Sequence, residues 1–193
     1  LILLITGEGK VFYLQDRVGY KNKKFKIIKF ATMLYNSPNM GSGSLTLKND
    51  PRVLPFGSFL RKTKINELPQ ILNIIIGNLS IVGPRPQMQV DFEKYSVEFQ
   101  KKIYNVRPGL TGIGSIIFRD EESLISVASE NENPHEFYKR VIAPYKGELE
   151  MWYQSNRSFL LDLQLIFMTA WVILVPTSKL YEKWFKDLPK RSF

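Results

Sequence analysis

The stretch from Leu163 to Val175 is almost wholly apolar and ends at Pro176. No other segment constrains the fold as strongly. A helix that crosses a bilayer upright needs about 20 apolar residues, so this run is too short to span one. It is expected as a helix that is buried against the rest of the chain or lies at an interface. The 193 residues are enough for one compact domain with a real core. With 44% apolar and 23% charged residues, disorder throughout is excluded. There are no cysteines, which removes disulfides and thiolate metal sites. The net charge of +9 implies an anionic partner without saying whether that is nucleic acid, lipid headgroups or a phosphorylated substrate.

Periodicity and turn residues organise the rest. Val11 to Gln15 and Phe25 to Phe30 read as a hairpin that turns near Gly19, with Lys21, Lys23, Lys24 and Lys26 around the turn. Tyr35 to Ser44 is a loop rich in Asn, Ser, Gly and Pro. Phe56 to Lys62 reads as a short helix. In the next helix Leu68, Ile71, Leu72 and Ile75 recur at helical spacing; Asn66 is its expected N-cap and Gly77 its stop. That places a helix N-terminus, a natural phosphate site, beside Asn66 and Glu67. Gly83-Pro84-Arg85-Pro86 is a stiff turn that restricts the backbone on both sides of an arginine. A polar helix is expected over 90–104, a loop over 107–114, a polar helix and loop over 120–134, and helix from Tyr145 onward. The opening Leu1-Ile2-Leu3-Leu4-Ile5 reads equally as a buried strand or as the tail of a longer membrane segment.

Familiar catalytic patterns are missing. His135 is the single histidine and reads as a surface residue without a partner, so a Ser/His/Asp triad and a histidine metal site are out. Gly7-Glu8-Gly9-Lys10 and Gly41-Ser42-Gly43-Ser44 satisfy neither a phosphate-binding loop nor a dinucleotide fingerprint. What remains is carboxylates, cations and phosphate-friendly turns: Glu67, Asp162, Arg85, Lys29, Arg52, Arg61, Arg107 and Arg119. Such a set suits phosphoryl transfer, in which positioning and charge neutralisation dominate and Mg²⁺ is commonly held by a carboxylate.

The order of motifs resembles the bacterial sugar transferases of the monotopic phosphoglycosyl transferase superfamily, from about Gly7 to Leu165. Val11-Phe12-Tyr13-Leu14-Gln15-Asp16-Arg17-Val18-Gly19 is similar to the family's hairpin, and Phe25 to Met33 to its lysine-bearing segment, which makes Lys29 the family lysine. Asp50-Pro51-Arg52, Phe59-Leu60-Arg61-Lys62-Thr63, Glu67-Leu68-Pro69-Gln70, Val82-Gly83-Pro84-Arg85-Pro86, Pro108-Gly109-Leu110-Thr111-Gly112 and Leu161-Asp162-Leu163 follow in the family's order. The ELPQ and VGPRP pair at this separation is the most specific part.

The resemblance implies transfer of a sugar phosphate from a UDP-sugar to undecaprenyl phosphate with release of UMP. It also implies Mg²⁺ and a first step in making exopolysaccharide, capsule, lipopolysaccharide or glycoprotein glycans. It implies an α/β (α+β-like) fold: a single compact catalytic domain, 7–193, with a small hairpin, several helices and membrane-facing apolar helices. Residues 1–6 are expected to end a re-entrant membrane helix, and the expected location is the cytoplasmic face of the bacterial inner membrane. Glu67 and Asn66 are the expected catalytic pair, with Glu67 on metal. Lys29, Arg85, Arg61, Arg107 and Arg119 are expected on phosphate, with Pro84, Pro86 and Asp162 in support. The chain departs from the family at Asn66 (an aspartate there), Asn78 (an aspartate) and Ala31 (an arginine). An amide is a far poorer nucleophile than a carboxylate. Two routes are then open: Glu67 as nucleophile, slightly favoured by its place at the expected helix start, or direct attack by the lipid phosphate. The rival reading is a homologue that binds nucleotide sugar or lipid phosphate as a scaffold or regulator. Nucleic acid is set aside for want of a motif; homo-oligomerisation stays open.

Overall fold

The computed structural model describes residues 2–193. Strands β1 (Phe12–Val18) and β2 (Lys24–Phe30) form the expected antiparallel hairpin, with Tyr13 opposite Lys29 and Arg17 opposite Phe25. Its turn is made by Lys21 and Asn22, both in the left-handed region. The helices, in chain order, are α1 (Ile2–Thr6), α2 (Pro55–Lys62), α3 (Gln70–Ile76), α4 (Gln89–Phe92), α5 (Val97–Lys102), α6 (Ile113–Ile117), α7 (Glu121–Ala128), α8 (Pro134–Phe137), α9 (Ala143–Asn156), α10 (Phe159–Leu174) and α11 (Leu180–Trp184). A π-helical turn, Tyr138–Ile142, joins α8 to α9.

A second, parallel pair consists of β3 (Ser80–Val82) and β4 (Gly109–Thr111). Strand β4 lies in the segment expected as a loop, and β3 in one to which no element was assigned. Strands this short carry no readable alternation. The pairing depends instead on close backbone approach: a side chain at Gly83 would collide with the Arg107 and Pro108 backbone, and one at Gly109 with Gly83 itself. The VGPRP and PGLTG motifs therefore fold against each other, and β4 holds the Arg85 turn in place.

Three expectations about helices are corrected. The helix after Thr63 begins at Gln70, with Pro69 as its N-cap, and not at Asn66. Lys64 is left-handed, and Ile65–Glu67 forms a separate 3-10 turn. Proline has no N–H and is tolerated at a helix start, so it resets the beginning three residues later. Asn66 therefore caps nothing; its side chain is buried. The expected polar helix 90–104 is broken into α4, α5 and a 3-10 turn at Ile103–Asn105, because Tyr95-Ser96 interrupts it and Ser96 caps the new start by accepting from the Phe99 N–H. The strand alternative for the N-terminal residues is replaced by helix α1.

The core is built around α6, α9 and α10. Ile113, Ile116, Ile142, Leu149, Leu165 and Met168 are all buried there with Phe92 and Tyr104. Helix α10 uses one face for this core (Leu161, Leu165, Met168, Val172) and leaves Leu163, Phe167 and Leu174 exposed. Helix α3 is inverted relative to an ordinary amphipathic helix. Its buried residues are Gln70 and Asn73, while Leu68 just before it and Ile71, Leu72, Ile75 and Ile76 face outward. Asn73 explains the orientation: its Nδ2 donates to the Lys26 carbonyl at 2.8 Å, and its Oδ1 accepts from the Ile28 N–H at 3.0 Å. Gly77 ends the helix with φ +87, as expected of a left-handed stop. No helix among the described residues is long and apolar enough to cross a membrane.

Candidate functional site

One cavity of about 730 Å³ opens between the hairpin, the 44–50 loop, the end of α2, the Arg85 turn and the α6–α9 region. Antiparallel pairing puts alternate residues of both strands on one face. Tyr13, Gln15 and Arg17 therefore share a face with Lys29, and all four line the cavity. The loop forming the opposite wall is held by buried Arg52. Its guanidinium pairs with Asp50 at 2.6 Å and donates to the carbonyls of Ser37, Met40, Gly43 and Leu45. Arg52, first read as a candidate phosphate cation, is thus a loop organiser with its donors already used.

At the centre of the cavity Arg85 Nη2 donates to Glu67 Oε1 at 3.1 Å. Burial disfavours the Glu67 charge, but Arg85, Lys29 and Lys64 outweigh it and hold the carboxyl at about 2. Glu67 is therefore ionised at any physiological pH. Its charge in turn raises Arg85 above an ordinary arginine. Lys29 is pulled well below its usual value, first by burial and then by Arg17, with Glu67 opposing. Arg17 donates to the Pro86 carbonyl at 3.2 Å and to Gln15 Oε1 at 2.5 Å. The Arg85 turn is fixed from behind by Tyr104, whose hydroxyl donates to the Arg85 carbonyl at 2.8 Å and accepts from the Gln87 N–H at 2.8 Å.

Arg17, Lys29, Lys64 and Arg85 gather around Glu67, with Asp91 and Glu121 also acting on the arginines, and the cavity lining has more basic than acidic side chains. It is suited to an anion with several oxygens. Four side chains that line the cavity also present buried polar atoms without a hydrogen-bond partner among the described residues: Arg17 Nε, Asn66 Oδ1, Ser115 Oγ and Glu150 Oε2. Buried polar groups are normally paired, so four unpaired ones on the lining of one cavity call for a partner such as water, an ion or a ligand.

Of the residues singled out from sequence, Lys29, Arg61, Asn66, Glu67, Arg85 and Arg119 are brought together on this cavity. Arg61 is paired with Glu122. Pro84 and Pro86 are buried beside Arg85, and Pro86 receives the Arg17 bond. Arg107 is exposed and Asp162 accepts from the Tyr153 hydroxyl at 2.8 Å; neither lines the cavity. His135 does have a partner, Lys94 Nζ at 2.7 Å from its Nδ1, and also lies outside the lining. Sequence reasoning missed Arg17, Ser115 and Glu150. Strand alternation from Lys29 would have found Arg17, whereas no local pattern marks the other two.

Among the described residues, no three acidic or histidine side chains gather into a metal-binding group. Glu67 and Asn66, neighbours in sequence, both line the cavity and offer two protein oxygens in all. That fits a magnesium ion that arrives with phosphate oxygens and water, which is how this ion is usually held.

Comparison with known proteins follows the same lines. A sequence profile described as "Bacterial sugar transferase" matches residues 1–176. The chain is 34% identical over 165 residues to an uncharacterized sugar transferase, EpsL, of Bacillus subtilis, covering 86% of this chain and 70% of that protein. It is 31% identical over 189 residues to a UDP-galactose-lipid carrier transferase of Erwinia amylovora, covering 90% of this chain and 35% of that one. It is also 31% identical over 176 residues to a UDP-N-acetylgalactosamine-undecaprenyl-phosphate N-acetylgalactosaminephosphotransferase of Aeromonas hydrophila, covering 90% and 38%. The chain thus spans little more than a third of the length of the latter two.

Proposed function

This chain belongs to the bacterial sugar transferase family, and from that premise we propose that it moves a sugar phosphate from a UDP-sugar to undecaprenyl phosphate and releases UMP. The work takes place at the cytoplasmic face of the inner membrane and initiates a polysaccharide or glycoconjugate. The observation that carries this reading is the cation-rich cluster of Arg17, Lys29 and Arg85 around Glu67 on one large cavity. A diphosphate is the group that such a surplus of fixed donors binds best.

Arg85, held between prolines and by Tyr104, and Lys29 neutralise the diphosphate oxygens. Arg17 adds its free Nε. Glu67 and Asn66 would hold Mg²⁺, which when bound supplies further charge neutralisation on the diphosphate. The bond that forms is to the phosphorus next to the sugar, and the bond that breaks is the one to the bridging oxygen, which leaves with UMP. Glu67 is already engaged by Arg85 and its basicity is low at a pKa of about 2. Both features suit a group that organises charge better than one that attacks. The attacking oxygen is therefore assigned to the lipid phosphate, and residue 66 forms no covalent bond.

The outward apolar residues of α3, with Ile2, Leu4 and Ile5 of α1 and Phe159, Leu160 and Leu174 of α10, support contact with the lipid surface where that acceptor resides.

The test is UMP release from a panel of UDP-sugars with undecaprenyl phosphate and Mg²⁺. UMP formation that requires the lipid supports the transferase. Tight UDP-sugar binding with no UMP at all supports the scaffold reading that Asn66 motivates.

A further inference from the structure

Glu150 and Ser115 belong to the same cavity as the ionic cluster, but the phosphate chemistry above does not use them. Glu150, on α9, is 5% exposed, and its Oε2 has no partner among the described residues. Its carboxyl faces the backbone N–H of Arg85, the residue whose side chain holds Glu67. Glu150 is therefore directly behind the phosphate cluster. Its Oε1 would lie 2.6 Å from a side chain at Gly114, so the carboxyl is pressed against the start of α6, where Ser115 is the next residue. Ser115 Oγ is buried and unpartnered as well.

A carboxylate is wrong for a diphosphate, and a hydroxyl serves a phosphate and a sugar alike. An ionised Glu150 would repel the anion, and Lys146, the cation that acts on it, is already paired with Glu121 at 2.7 Å. Both groups are right for a neutral polyol, whose hydroxyls each bring a donor and an acceptor. Burial also pushes the Glu150 carboxyl up to about 7, so near neutrality it can either donate or accept. A sugar whose phosphate is gripped by Arg85 must project from that phosphate, and Glu150 stands one residue's backbone away.

We propose that Glu150 and Ser115 form the sugar-hydroxyl subsite and select among hexoses that differ in hydroxyl configuration. The inference rests on the nucleotide-sugar reading above and adds to it the residues that choose the sugar.

The test compares UDP with UDP-glucose, UDP-galactose and their N-acetylated counterparts by calorimetry, on the whole chain and on Glu150→Gln and Ser115→Ala. Each variant is expected to bind the preferred UDP-sugar about tenfold more weakly, the effect of one lost hydrogen bond in a buried site. UDP binding should stay within about twofold, and that unchanged value also shows that the variants are folded. Preference between epimers should narrow in Glu150→Gln. Equal losses for UDP and UDP-sugar, or no loss for either, would overturn the assignment. A wild-type chain that binds UDP yet gains no selectivity from any sugar overturns it too while sparing the phosphate cluster; a wild-type chain that binds none of the ligands overturns the underlying nucleotide-sugar reading as well.

Discussion

At residue 85 a planar guanidinium does two jobs at once: it pairs with Glu67 and presents its remaining donors to the cavity. Lysine would keep the charge but lose the fork. Arg85→Lys should therefore leave the fold intact while lowering turnover of UDP-sugar by at least about tenfold. Steady-state kinetics decide it, and unchanged kinetics in a folded variant would remove Arg85 from the site. Glu67→Gln should abolish UMP release, since it strips the countercharge from Arg85 and Lys29. Glu150 makes a pH-dependent contribution of the opposite kind to Glu67. Its folded value of about 7 lies above its ordinary 4.5 because burial opposes the charge. Between those values the folded chain holds a proton that the unfolded chain has released. Its contribution is complete below about 4.5 and is lost as pH rises through about 7. The cost at alkaline pH is about 3 kcal/mol. Glu150→Gln, neutral throughout, should match wild type in urea unfolding at about pH 4 and exceed it by up to about 3 kcal/mol at about pH 8.5. An equal difference at both pH values would mean that Glu150 is not titrating in the fold.

Among the elements, α3 shows most clearly what could and could not be read in advance. The spacing of Leu68, Ile71, Leu72 and Ile75 was legible as helical, and Gly77 as its end. Which face would be buried was not legible, because the deciding contacts come from Asn73 to β2, far away in sequence. The helix start was misplaced because Asn66 has the chemistry of a cap, while Pro69 and left-handed Lys64 decide the geometry. Asn73→Ala should leave the Ile28 N–H and the Lys26 carbonyl without partners and destabilise the protein by about 2–3 kcal/mol in urea unfolding. A loss near zero would show that α3 is oriented by something else. Ile75→Asp, at a position 75% exposed, should leave solution stability within about 0.5 kcal/mol of wild type. The same change should weaken binding to vesicles.

Across the whole molecule, the hairpin, the Arg85 turn and most of the cationic set were legible because each is written within a few adjacent residues. The β3–β4 pair and the Glu150–Ser115 subsite were not, because each joins segments separated by long stretches of chain. Residues of α1, α3 and α10 leave apolar side chains exposed, and the chain carries a net charge of +9; in the membrane proposal both serve contact with an anionic bilayer. Basic residues near an anionic bilayer contribute about 1 kcal/mol each and are screened by salt, whereas apolar insertion is not. The protein expressed in bacteria should therefore stay with the membrane fraction through a high-salt wash and leave it in detergent. Complete release by salt would contradict the membrane proposal. The central claim is that the cavity passes a sugar phosphate to a lipid, and it is tested most directly by following a UDP-sugar labelled at the phosphorus next to the sugar. The expected result is label in the lipid-extractable product, equal in amount to the UMP formed and absent with Glu67→Gln. Label that remains in UDP-sugar bound to the protein, or appears as free sugar phosphate with no lipid product, would contradict it.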